Sequence, residues 1–157
     1  LKINIDPAFI TFDPWTTFDE LCDNVRFIRM MELHKCDARS PLFSNCLDIH
    51  PGMDLAAFKE SGGCFPCVGK NYEPLDIRVQ AIAQIFRYYR SQLLRKMDEC
   101  SIDLSNGINP REFLWRQKKR PELDLMVMEK LIEIFSDKCV SERSLDYAKS
   151  EIATLVA

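Results

Sequence analysis

Apolar residues recur at intervals of three and four along four stretches of this chain, a spacing that commits most of it to helices. The longest stretch begins after Pro74, where Ile82, Phe86, Tyr89, Leu93 and Met97 form a stripe with Ile85 and Leu94 beside it. Pro74 falls in the predicted first turn, which has N–H groups to spare, and Asp76 complements the positive end of the helix dipole. This helix is expected to end near Cys100, before the turn Ser105-Asn106-Gly107.

An earlier helix is predicted over 17–35. Thr17 and Glu20 have the spacing of a capping box, and Phe18, Leu21, Val25 and Ile28 line one face. Phe27, Met31 and Leu33 widen its apolar surface, so burial on more than one side is expected. Toward the C-terminus, Pro121, Glu122 and Asp124 are read as opening a helix striped by Leu125, Met128, Ile132 and Phe135. Ser141 is the cap expected for a last helix striped by Leu145, Ala148, Ile152 and Leu155. A brief helix with Asn109 as cap and Pro110 at its first position is expected between these and the long one.

Two regions lack this period. In residues 1–15, read as an extended arm, Leu1, Ile3 and Ile5 alternate with Lys2 and Asn4, as in a strand, until Pro7 and Asp13-Pro14 interrupt. No partner strand stands out, so the arm is expected to pack on the helices or to pair with another molecule. Residues 36–73 are irregular, broken by Pro41, Pro51, Gly52, Gly62, Gly63, Pro66 and Gly69, with room for one short helix near Met53–Glu60. The expected fold is therefore mainly α: an irregular multi-helix bundle of five to six helices, forming a single domain over 1–157. Its parts are the N-terminal arm, a loop-rich Cys/His insertion and a bundle core over 74–157. A chain of this length can bury about 70% of its unfolded surface, enough for a real core.

The insertion carries four of the chain's 7 cysteines, and both histidines lie in or beside it. Cys64-Phe65-Pro66-Cys67 is a C-x-x-C turn, whose curled backbone can aim two thiolates at one ion. Cys46 and His50, four apart, supply a second pair. Together Cys46, His50, Cys64 and Cys67 would make a three-sulfur, one-nitrogen tetrahedral set suited to structural zinc. Such a site would pin a long segment that has little periodicity of its own. The same cysteines also suit plain packing as small hydrophobes, or a redox role. A thioredoxin-type motif is disfavoured because no strand–helix–strand pattern surrounds the turn.

Aromatic residues cluster near the arm at Phe9, Phe12 and Trp15, the residue types that anchor protein interfaces. They could equally lid their own core. Arg116, Lys118, Lys119 and Arg120 form a basic run beside Phe113 and Trp115, an arrangement that can grip single-stranded nucleic acid. Against that reading, Glu122 and Asp124 follow at once, and a short basic loop before a helix is ordinarily a solvated surface.

Net charge is −3, too small for a broadly basic nucleic-acid surface. No apolar run approaches the roughly 20 residues of a membrane-spanning helix. An odd cysteine count without disulfide-scaffold spacing points to a reducing compartment, cytoplasmic or nuclear. The chain opens on Leu1, which suggests a domain excised from a larger intracellular protein. P-loop, dinucleotide, zinc-protease and serine-hydrolase motifs are absent. His34, at the predicted end of the first helix, suits a structural role against the dipole. The expectation is a non-catalytic protein–protein interaction or assembly domain, with structural zinc as its cofactor and another protein as its partner. The alternatives are a nucleic-acid-associated regulatory domain using the basic run and, less favoured, an enzyme using Cys64 or Cys67.

Overall fold

The computed structural model describes residues 10–35, 43, 45–46, 73–104, 110–137 and 139–155, with the side chains of 45–46, 94, 96–104 and 110–119 outside that description. Four helices hold 77% of the described residues, which makes the fold mainly α. They are α1 (Phe18–Met30), α2 (Ile77–Leu104), α3 (Pro110–Ser136) and α4 (Glu142–Leu155). The short helix expected near Met53–Glu60 and residues 1–9 of the arm lie outside the described residues.

Helix α1 starts where its capping box demands. The Glu20 N–H donates to Thr17 Oγ1 at 3.3 Å, and the Thr17 N–H donates to Glu20 Oε2 at 2.9 Å. Phe18, Leu21, Val25 and Ile28 are all buried, as their spacing requires. The helix stops at Met30 and does not run on to 35. Glu32 adopts a left-handed backbone, φ 54°, which turns the chain into a 3-10 turn over Leu33–Lys35. Glycine is the residue that ordinarily marks such a turn, so a glutamate there gives no warning in the sequence. Of the residues expected to widen its buried surface, Phe27 and Met31 are exposed, whereas Leu33 is partly buried and packs against the core.

Asp76 joins two helix starts. It is the cap of α2: one carboxylate oxygen accepts the Arg78 N–H at 2.9 Å, and its backbone carbonyl accepts the Gln80 N–H at 2.9 Å. Its other oxygen accepts the Phe18 N–H at 3.0 Å, satisfying an orphan donor of α1. Beside it, the Leu75 N–H donates to the Pro14 carbonyl at 2.9 Å, and the Arg78 guanidinium lies 4.1 Å from the Phe18 ring centre. Two segments some sixty residues apart in sequence are thereby fastened together.

Helix α3 corrects the expected division at Pro121. No separate brief helix precedes it: one helix runs from Pro110 to Ser136 with the proline inside. An interior proline removes a hydrogen bond and costs about 3 kcal/mol in helix propensity. Packing outweighs that cost. Leu125, Val127, Met128, Leu131 and Phe135 are buried, and Arg120 reaches across the proline toward Asp124. Ser141 caps α4 as expected, with Ser144 N–H donating to its hydroxyl at 3.2 Å.

Two short strands complete the described structure. β1 (Ile10–Phe12) pairs in parallel with β2 (Asn45–Cys46), with an irregularity in register between Ile10 and Phe12. Phe12 and Phe43 bring this pair to the helices, their ring centres 6.4 Å and 6.0 Å from that of Phe86. One cluster of buried apolar side chains runs from Phe12 to Ile152, with α2, α3 and α4 in mutual contact and α1 laid mainly against α3.

Candidate functional site

Buried polar chemistry is concentrated where α2 meets α3. Asp124, 1% exposed, accepts from the Tyr89 hydroxyl at 3.1 Å and from Arg90 at 2.7 Å. Arg120 Nε stands 4.0 Å from the same carboxylate and has no hydrogen-bond partner among the described residues. Burial pushes the Asp124 carboxyl above its usual range, against the pull of Arg90 and Arg120. Burial also raises the Tyr89 phenol, helped by the Asp124 charge, so the hydroxyl stays a donor. Burial and the like charge of Arg90 lower the Arg120 guanidinium. Each of these groups faces another member of the set. The arrangement is a clamp between helices.

The outward side of α1 has a different character. Trp15 is 39% exposed, Phe27 41%, Met31 53% and Met30 69%. Trp15 shares an open hollow with Asp13, Thr16, Glu20, Asp23 and Asn24, which places the indole beside the first half of the helix. The carboxylates there are engaged locally. Asp13 accepts the Trp15 N–H at 2.8 Å, Glu20 serves the capping box and Asp23 pairs with Arg26 at 2.5 Å. On the flank next to the buried stripe, the Arg29 guanidinium makes two hydrogen bonds to Glu129, which tie α1 to α3.

The sequence-predicted residues fall in three groups. Among the aromatics, Trp15 is at the surface, Phe12 is 2% exposed in the core and Phe9 lies outside the described residues. Phe12 is drawn inward because β1 lies against α2, where its ring meets Phe86. In the basic run, Arg116, Lys118 and Lys119 are on α3 rather than in a loop, with side chains outside the described residues, while Arg120 turns toward Asp124. Of the zinc ligands, Cys46 contributes its backbone to β2, and its thiol, His50, Cys64 and Cys67 lie outside the described residues. Among the described residues no three His, Cys, Asp or Glu side chains gather as a metal site.

His34 is buried in the 3-10 turn, and its Nδ1 makes no hydrogen bond among the described residues. Cys22 is half-buried and Cys139 exposed, both as free thiols, and desolvation raises the Cys22 thiol pKa. Met30 was the surface residue the sequence did not single out. Its signal was its place on α1 opposite the Leu21–Ile28 stripe.

The described residues form a mainly α-helical fold with Trp15, Phe27, Met30 and Met31 exposed among charged side chains on and beside α1, and no described helix is long and apolar enough to cross a membrane. Comparisons with protein-family models, curated protein sequences and solved structures give no match for this chain.

Proposed function

We propose that this chain is a non-catalytic protein-binding or assembly domain that engages its partner through Trp15 and the outward face of α1. The observation that carries this reading is the exposure of Trp15, Phe27, Met30 and Met31 along one side of a helix whose opposite stripe is buried. Large apolar side chains with exposed area on one side of a helix mark interaction sites, and a tryptophan beside them is the kind of side chain that dominates interface energetics. Tyr89, Arg90 and Asp124 bind one another between helices, a structural use that supports the same reading. Arg120, turned toward Asp124, weakens the nucleic-acid alternative. Structural zinc on Cys46, His50, Cys64 and Cys67, and an intracellular setting, belong to this proposal on the strength of the sequence.

A photo-crosslinking side chain at position 30, compared with one at exposed Tyr147 on α4, tests the proposal. A discrete protein adduct from position 30, absent from position 147 and abolished by Trp15→Ala, is the expected result. No adduct from position 30, or equal labelling from both positions, overturns it.

A further inference from the structure

We propose that Arg90 and Arg120, where α2 meets α3, hold a phosphate-type oxyanion. The inference goes beyond the protein-binding reading and does not depend on it.

The clamp between these helices is unbalanced. Two guanidiniums stand beside one carboxylate, that of Asp124, so a unit of positive charge is left over even when the acid is fully ionised. Among the described residues neither arginine has a second ion-pair partner. The surplus of donors is larger than the surplus of charge. A guanidinium carries five N–H donors, yet among the described residues the two side chains make a single hydrogen bond, from Arg90 Nη1 to Asp124 at 2.7 Å. Arg120 Nε is buried, stands 4.0 Å from that carboxylate and bonds nothing. A buried N–H without an acceptor has lost its hydration with no replacement, which is why such groups are rare in folded proteins.

An oxyanion supplies both missing terms, acceptors and negative charge. Neither arginine is fully covered, so a small ion can reach them without the helices parting. Burial and the Arg90 charge lower the Arg120 guanidinium pKa, and a bound anion counteracts that. The free donors belong to two side chains on two helices. A planar carboxylate is matched to a single guanidinium fork, whereas a tetrahedral phosphate has oxygens to share between both.

Titration of the full chain with inorganic phosphate, at ionic strength held constant with sodium chloride, tests the site. The melting temperature is expected to rise with phosphate beyond its response to chloride, saturating in the millimolar range. Two arginine Nε–H resonances should shift along the same titration, a readout on the native chain that needs no variant. Arg120→Met should weaken phosphate about tenfold, and Asp124→Asn, which raises the surplus to two charges, should tighten it about tenfold despite its lower stability. Phenyl phosphate, titrated in parallel, identifies the source: equal affinity points to the free ion, and tighter binding of the ester to a phosphate carried on a larger molecule. A phosphate response no larger than that of chloride, arginine resonances that stay in place, or undiminished binding by Arg120→Met overturns the proposal and leaves Arg120 Nε to water.

Discussion

Replacing Asp124 by alanine should be the most damaging single polar change in the described structure. The carboxylate is 1% exposed and is the shared acceptor for Tyr89 and Arg90, with Arg120 at 4.0 Å. Its removal leaves the Arg90 and Arg120 side chains, only 11% and 23% exposed, without their counter-charge. Stripping one partner from a buried ion pair costs about 3–5 kcal/mol. Residual solvent access at Arg120 favours the lower end, so a loss of about 3 kcal/mol is expected. Against a total stability of roughly 5–15 kcal/mol, that is a large fraction. In urea, with a slope of about 2 kcal/mol per molar, the midpoint should fall by about 1.5 M. A double-mutant cycle with Arg90→Met and Asp124→Asn isolates the pair and should give a coupling of at least ~1 kcal/mol. Coupling below about 0.5 kcal/mol, or an Asp124→Ala loss under 1 kcal/mol, would refute the clamp between α2 and α3.

Three further expectations follow from particular positions. Asp76→Ala should cost about 1–2 kcal/mol, since one carboxylate caps α2 and also serves the Phe18 N–H of α1. Burial alone would raise the Asp76 carboxyl, but the N–H groups of Phe18, Arg78 and Val79, together with the Arg78 charge, outweigh it and hold the pKa below the usual value. A depressed folded pKa makes its stabilisation complete above the unfolded value, about 4, and lost as pH falls through the folded one, so Asp76→Asn should flatten the acid limb of a stability–pH curve. Glu32→Gly should raise the melting temperature by about 3 °C, because glycine relieves the positive φ at a gain of about 1 kcal/mol and the lost Lys35 pair is exposed; an unchanged or lower melting temperature would contradict this. Metal analysis of chelator-free protein decides between the readings of the cysteine segment: one zinc per chain, lost in Cys64→Ser, supports the Cys46, His50, Cys64, Cys67 site, and metal-free protein removes it.

The helices were legible in the sequence because their signals are local. The Thr17–Glu20 capping box, the Ser141 cap and the buried runs Leu21–Val25–Ile28, Ile82–Phe86–Tyr89 and Leu125–Met128 each lie within a few turns of one helix. Periodicity and capping operate at that range, so residue order alone reveals them.

Only the tertiary structure could pair Asp124 with Arg90, aim Asp76 at the Phe18 N–H, carry α3 through Pro121, and turn Phe12 inward while leaving Trp15 and Met30 at the surface. Each of those outcomes depends on which helix face meets which neighbour across tens of residues. The same apolar side chain is core or surface according to what packs against it, and spacing along one helix cannot distinguish a stripe that meets the bundle from a stripe that meets water.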